Sequence, residues 1–368
     1  MVTDDYYMRL AMELAECGRG FVSPNPLVGA VIVKNNRIIG RGYHKKFGDA
    51  HAEIDALQNC FESPKGATLY VTLEPCNFLE KKTPPCVPAI INAGIKRVVI
   101  GALDCNPKTC QKGVTALKKA GIATKVGVLA KEIKKQNETY FKYMQTGIPF
   151  VILKLGLSLD GRIATKFGES KWITSKESRM FAQQLRKQAD AILVGINTVL
   201  KDNPKLTCRI APTKQLTRVV LDTKLRIPFN ANVLKGNNPT IIFSYQFSNN
   251  KYHQLISQRK NVEVVSIKSD KNGYFSWRDI LTELAKRDIA SVLIEGGARV
   301  ASSALAAGIV DKVYLIYAPK IIGSGISFSD YLNLAKLNSA IRLVDYKIIP
   351  SDKDFIVQGY IDKHCNQS

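Results

Sequence analysis

The stretch HAEIDALQNCFESPKGATLYVTLEPCNFLEKKTPPC, residues 51–86, decides how this chain is read. It opens with His51-Ala52-Glu53 and closes with Pro75-Cys76 and Pro84-Pro85-Cys86. One imidazole and two thiolates fill three positions around a zinc ion and leave the fourth open to water, and a carboxylate two residues from the imidazole can handle that water's protons. His51, Cys76 and Cys86 are therefore the candidate metal ligands and Glu53 the candidate catalytic proton carrier. Cys76, just after Pro75, is expected to open a helix, where the dipole would favour its thiolate.

Working outward, a helix over 51–60 carries the His-Ala-Glu triplet, and Thr68 to Leu73 is a β-branched strand feeding Pro75-Cys76. Upstream, residues 4–18 form an amphipathic helix stopped by Gly18 and Gly20, and Ser23-Pro24-Asn25-Pro26 is irregular. Apolar runs 30–33 and 37–42 flank Asn35-Asn36, a hairpin signal. Downstream, helices over 87–93, 114–120 and 132–145 alternate with strands over 97–103 and 124–129. That alternation predicts a layered α/β fold with substantial parallel pairing. Thr146-Gly147-Ile148-Pro149 breaks it, placing one domain at 1–146 and a second at 149–368. The second repeats the theme, with strands over 150–157, 190–195, 217–222, 239–244, 262–267, 290–295 and 311–317 and helices over 175–188, 276–287 and 298–307.

The chain has 368 residues, long for one hydrophobic core, so two domains also fit its length. No run of eighteen apolar residues appears, and Asp4, Asp5, Glu13 and Glu16 interrupt the first twenty positions, which argues against a membrane span and a signal peptide. A cytoplasmic location is expected. The eight cysteines lack framework spacing and read as reduced thiols. A net charge of +22 is compatible with nucleic acid, a membrane surface or a phosphorylated small molecule. The excess is spread over both halves without a basic tail. His44, seven residues before His51, is open to a substrate-facing or a surface role.

Histidine-Ala-Glu, a strand, Pro-Cys and a second cysteine are the order of the zinc nucleobase deaminases, in which the glutamate shuttles protons and is not a ligand. Many of those carry Pro-Cys-x-x-Cys; here nine residues separate Cys76 from Cys86. With Ser23 to Val33, Thr72 to Cys76 and Thr83 to Cys86, the chain resembles the RibD family of bifunctional riboflavin-biosynthesis enzymes. The resemblance implies a cytidine-deaminase-like three-layer α/β domain followed by a dihydrofolate-reductase-like α/β domain. It implies zinc-dependent deamination of 2,5-diamino-6-ribosylamino-4(3H)-pyrimidinone 5′-phosphate, then NADPH-dependent reduction of the ribosyl group to ribityl. Asn25, His44 and Lys82 would contact the first substrate, a phosphorylated pyrimidine. Two departures stand out: the loop from Asn77 to Lys82 is one residue longer than the family's and lacks its histidines, and Asp55 replaces a histidine often found there.

In the second domain, Lys154 to Arg162 and Gly168 to Thr174 read alone as a strand and a Gly-containing turn without assignable chemistry. Val292 to Ala298 is a strand running into Gly296-Gly297 at a helix start, where N–H groups can approach a phosphate. The G-x-G-x-x-G pattern is missing, so a Rossmann domain is not expected. The family resemblance implies that Gly156, Trp172, Thr198, Asp202, Thr223 and the turn Gly297, Ala298, Arg299, Val300, Ala301, Ser302 and Ser303 hold NADPH. Ser170, Arg186, Leu206, Arg209 and Glu295 would hold substrate. Hydride must reach C1′ of an opened ribosylamine, with Lys154 as a catalytic cation and Glu295 as a proton donor. A homo-oligomer without nucleic-acid or membrane partners is expected.

Two other readings stay open on the residues. A tRNA-adenosine or cytosine deaminase fused to an unrelated oxidoreductase predicts Pro-Cys-x-x-Cys. A zinc-stabilised nucleic-acid-binding module predicts a fourth His or Cys closing the metal site and gives Glu53 no task.

Overall fold

The structure, a computed structural model, describes residues 3–77, 84–211, 214–245, 248–257, 259–269 and 274–363. The chain divides into two compact units, Met1–Ile148 and Pro149–Ser368.

The first unit is built from α1 (Asp4–Glu16), β1 (Gly29–Lys34), β2 (Arg37–Tyr43), α2 (Ala52–Gln58), β3 (Thr68–Leu73), α3 (Cys86–Asn92), β4 (Arg97–Ala102), α4 (Lys112–Lys119), β5 (Ala123–Val126), α5 (Ala130–Gln136) and α6 (Glu138–Thr146). Its sheet runs β2-β1-β3-β4-β5, antiparallel at β1 and parallel from β3 to β5. Asn35 and Asn36 both have positive φ, 50° and 60°, which is the turn a two-residue hairpin favours. Strand alternation then sorts the layers. Ala30, Ile32, Leu69, Val71, Val98 and Ile100 pack with α2, α3 and α4 on one face, while Val31, Val33, Tyr70 and Val99 pack with α1, α5 and α6 on the other. Each fully buried Val, Leu or Ile contributes roughly 1.5–3 kcal/mol. Packing on both faces, rather than strand propensity, therefore holds the layers.

Where α2 crosses β2, the strand has Gly40 and Gly42. A Cβ on Gly42 would sit 2.2 Å from Ala56 N, so only glycine lets the helix that follows His51 lie this close. The helix expected over 132–145 is broken at Asn137, buried and with φ −106°, whose side chain donates to Leu27 O (3.0 Å) and accepts from Leu27 N (2.8 Å). A contact 110 residues away thus outweighs a continuous helical pattern. The strand expected over 124–129 ends at Val126 because Gly127 and Leu129 both turn at positive φ.

Asp4 ties three strands to the start of α1. It accepts Nη1 and Nη2 of Arg97 (2.9 and 2.8 Å), Nζ of Lys125 (2.8 Å) and the Tyr70 hydroxyl (3.0 Å). The Arg97 guanidinium outweighs burial and holds the carboxyl well below the usual carboxylate range. A depressed folded pKa adds stability that is complete above the unfolded value of about 4 and fades as pH falls through the folded one. Asp4→Asn is expected to lose about 1–3 kcal/mol at pH 7. Denaturant curves of the two proteins should converge in acid; a constant gap at all pH values would contradict the ion-pair origin.

The second unit contains β6 (Phe150–Ser158), β7 (Arg162–Ala164), α7 (Lys176–Gln188), β8 (Ala191–Gly195), α8 (Ile196–Asp202), β9 (Thr217–Leu221), β10 (Thr240–Ser244), α9 (Asn249–Ser257), β11 (Val262–Ser266), α10 (Trp277–Ala285), β12 (Ser291–Ile294), α11 (Ala298–Ala306), β13 (Lys312–Ala318), β14 (Ile326–Ser327), β15 (Leu343–Ser351) and β16 (Asp354–Ile361). Nine of its strands form one sheet, β11-β10-β9-β8-β12-β6-β13-β16-β15, parallel up to β13 and closed by the antiparallel β16-β15 pair. The parallel strands are near-continuous apolar runs, as burial on both faces requires. Their carboxyl ends gather Gly195, Thr223, Glu295 and Gly296 along one edge.

Candidate functional site

In the first unit β3 delivers Glu74-Pro75-Cys76 and the start of α2 delivers His51 and Glu53. The Nδ1 of His51 lies 3.6 Å from the Cys76 sulfur and 3.4 Å from the Cys86 sulfur, and all three donor atoms lie within 4.8 Å of one another. Zn–N near 2.05 Å and Zn–S near 2.3 Å at tetrahedral angles put nitrogen and sulfur about 3.6 Å apart. The donor set therefore fits zinc in size and in chemistry. The expectation that Cys76 opens a helix is corrected. Cys76 lies in the loop after β3, and it is Cys86 that begins α3, its N–H directed at both the Cys76 carbonyl (3.1 Å) and the Cys76 sulfur (3.4 Å). The helix end thus acts on the Cys76 sulfur from the neighbouring segment.

Glu53 is 3% exposed, with the Cys86 thiol within hydrogen-bonding reach. Burial pushes its carboxyl up from the ordinary value, only partly offset by His51. His44 is buried beside His51, their ring centroids 5.5 Å apart. The His44 Nδ1 is 3.0 Å from the Ala50 carbonyl, an acceptor only, so Nδ1 carries the proton and Nε2 accepts from the Asn25 amide at 3.2 Å. Burial lowers its pKa and keeps this neutral tautomer. Asn25 and His44 are thus brought to the metal pocket, whereas Lys82 lies outside the described residues, as do His364 and Cys365.

The pocket rests on two acids that spacing does not single out as supports. Glu74 is buried and accepts N–H groups from Asp104, Gln111, Gly113 and Val114 at 3.0–3.4 Å, tying the segment before Cys76 to the start of α4. Asp55 accepts Tyr43 N (3.1 Å) and Lys45 Nζ (2.7 Å), holding the segment with His44 against α2. The acid that departs from the family pattern therefore has a positioning task. Glu74 was legible only as an acid preceding Pro-Cys.

In the second unit, Glu295 sits between two cations. Arg186 Nε and Nη2 donate to its two oxygens at 2.7 and 2.9 Å, and Lys154 Nζ approaches at 3.3 Å. Arg186 Nη1 also donates to Thr207 O, beside Leu206. Burial alone would raise the Glu295 carboxyl, but Lys154 and Arg186 outweigh it and hold it well below the ordinary value. In this arrangement Glu295 is an acceptor that orients Lys154 and Arg186. Leu206 is buried and Arg209 exposed, its backbone N–H bonded to Gln183.

The dinucleotide residues fall into two groups. Gly297 has φ +76° and starts α11 without a side-chain cap, leaving the first N–H groups of a nine-residue helix without that partner. A Cβ on Gly296 would lie 3.1 Å from Thr198 Oγ1, so the glycines let α11 and α8 approach closely. This cradle fits a phosphate. Trp172 is 64% exposed with the Arg179 guanidinium 4.3 Å from its ring centre, and Gly156 and Ser170 are half-buried. Asp202 is half-buried at the end of α8. Within the run from Gly297 to Ser303, Ala301 and Ser302 are fully buried, and Ser302 Oγ is spent on Phe328 O. Ser303 Oγ bonds Val300 O and accepts from Trp277 Nε1. Within that run Arg299 is exposed, Gly297 and Ser303 are half-buried, and Ala298 and Val300 are buried.

Residues 149–356 match the family described as "RibD C-terminal domain", and residues 1–102 match the "Cytidine and deoxycytidylate deaminase zinc-binding region". A riboflavin biosynthesis protein RibD from Aquifex aeolicus is 44% identical over 356 residues, 96% of this chain and 97% of that one. The RibD from Bacillus amyloliquefaciens is 45% identical over 87% of this chain and 85% of its own. A Thermotoga maritima diaminohydroxyphosphoribosylaminopyrimidine deaminase/5-amino-6-(5-phosphoribosylamino)uracil reductase superposes with a TM-score of 0.86 at 40% identity, covering 98% of this chain and 99% of its own.

Proposed function

The chain belongs to the RibD family, a bifunctional enzyme of riboflavin biosynthesis with a zinc-binding deaminase unit and an NADPH-dependent reductase unit, and from that premise we propose which residues carry the two reactions. The observation that carries the reading is the three-donor set His51, Cys76 and Cys86 with buried Glu53 beside it.

The first substrate is 2,5-diamino-6-ribosylamino-4(3H)-pyrimidinone 5′-phosphate. Zinc held by His51, Cys76 and Cys86 supplies a Lewis acid that brings the pKa of water near neutrality. Glu53 takes a proton from the attacking water at its carboxylate and returns it to the departing amine, so water and the C–NH2 bond become a carbonyl and ammonia. Asn25 and neutral His44, fixed to each other, orient the pyrimidine; Lys82 belongs to the same substrate reading. A pocket that excludes bulk water strengthens each of these interactions.

In the second unit, NADPH supplies the hydride that reduces C1′ of the opened sugar. Lys154, held by Glu295, would supply a cation and hydrogen-bond donor to the opened sugar. Arg186, locked on Glu295, and exposed Arg209 suit the 5′-phosphate, with Ser170 and Leu206 shaping the same pocket. The remaining NADPH residues are Gly156, Trp172, Thr198, Asp202, Thr223 and residues 297–303. Removing the metal with a chelator is expected to stop ammonia release while the deaminated intermediate is still reduced. Loss of both activities together would contradict two separate sites.

A cytoplasmic location, the absence of a nucleic-acid partner and self-association complete the reading. A basic balance suits phosphorylated substrates in both steps. No helix among the described residues is long and apolar enough to cross a membrane. Self-association is supported by β15, an edge strand with Val344, Tyr346 and Ile348 exposed by 44, 65 and 63%. Light scattering should give a mass above that of one chain; a single-chain mass would contradict it.

A further inference from the structure

The sheet order sets the direction of a dinucleotide along the carboxyl edge. The glycine cradle lies over β8 and β12, with β6, which carries Lys154 and Gly156, on one side and β9 on the other. Neighbouring strands are about 4.8 Å apart. If the reacting nicotinamide lies over β6 and the pyrophosphate over the cradle, the adenosine half extends over β9.

The turn after β9 has an unusual arrangement. Asp222 is fully buried; its Oδ2 accepts Ile227 N at 2.8 Å, and its Oδ1 has no hydrogen-bond partner among the described residues. Arg226 Nε stands 4.0 Å from that oxygen, and Arg226 Nη2 donates to Asn197 Oδ1 at 3.0 Å. Asn197 immediately precedes Thr198 of the cradle. The guanidinium is therefore held between β9 and α8, its side chain 47% exposed, and Nη1 has no hydrogen-bond partner among the described residues. Lys224 is exposed on the same turn, next to Thr223. Proteins that favour a free ribose 2′-hydroxyl present an acid to it. Here the nearby acid is buried behind a cation.

We propose that Arg226, assisted by Lys224, reads the 2′-phosphate of the adenosine ribose and so selects the phosphorylated dinucleotide over the unphosphorylated one. The proposal rests on the reading of this edge as the NADPH site. A half-exposed guanidinium anchored through Nη2, with Nε facing the Asp222 carboxylate at 4.0 Å, offers its remaining N–H groups to a phosphate.

The test is calorimetric titration of the full chain with NADP+ and with NAD+, alongside reductase kinetics with NADPH and NADH. Wild type should bind NADP+ more tightly. Arg226→Gln should weaken NADP+ by roughly 10- to 100-fold, leave NAD+ unchanged and raise the KM for NADPH without a comparable loss of kcat. Arg226→Lys should keep part of the preference, and Lys224→Gln should lose a smaller part. Equal weakening of both dinucleotides by Arg226→Gln, or no change in either, overturns the proposal. If wild type binds neither dinucleotide, the reading of the edge falls and the proposal with it. Tight, equal binding of both by wild type leaves that reading standing and sinks the proposal alone.

Discussion

Glu53→Gln is expected to lower ammonia release by roughly 10²- to 10⁴-fold while zinc content stays at wild-type level. Glutamine keeps the shape of the side chain beside Cys86 and leaves His51, Cys76 and Cys86 untouched, but its amide cannot accept the water's proton. The substitution should not unfold the unit. Burial raises the Glu53 pKa, so in the metal-free protein the ionised form costs stability in full above the folded value, and the cost fades as pH falls from there to the ordinary carboxylate value. A neutral glutamine removes the cost throughout. Metal analysis and ammonia assays on one preparation check the expectation; substantial turnover with a full complement of zinc would show that the proton carrier is another group.

Glu295→Gln is expected to abolish reduction and to destabilise the second unit by about 3–5 kcal/mol. Lys154 and Arg186, with side chains 16% and 14% exposed, would keep their positive charges with the balancing carboxylate gone. The folded pKa of Glu295 is depressed, so the stabilisation it gives is complete above the unfolded value near 4.3 and is lost as pH falls through the folded value. The gap between wild type and variant should therefore be full at pH 7 and close in strong acid. Denaturant melts and NADPH consumption measure both effects, with ammonia release as an internal control. A variant of wild-type stability would mean that the two cations do not depend on this acid.

The metal centre was legible because its donors and their helper sit in one short stretch. Zinc chemistry restricts donor types so strongly that His51, Glu53, Cys76 and Cys86 could be picked out without the fold. The alternation in β1 and the Asn35-Asn36 turn were legible because they follow local periods. What escaped depends on distant partners. Asn137 breaks a helix by bonding to Leu27, and Cys76 lies in a loop because the helix start belongs to Cys86. Glu74 draws its four N–H donors from a segment some thirty to forty residues away. The β15-β16 pair carries little alternation in its outer strand because that strand is exposed on both faces. The surroundings of Glu295 were hidden for a related reason: Lys154 and Arg186, which hold its carboxyl low, lie 141 and 109 residues away in the chain.

The central claim is that one chain performs both steps in order. Purified zinc-loaded protein should be given 2,5-diamino-6-ribosylamino-4(3H)-pyrimidinone 5′-phosphate with and without NADPH, and the products identified by mass spectrometry. Without NADPH the account predicts loss of one amine as ammonia and accumulation of the ribosylamino-uracil phosphate; with NADPH it predicts the ribityl product, two hydrogens heavier. Reduction with no release of ammonia, or an unchanged diaminopyrimidine under both conditions, would contradict it.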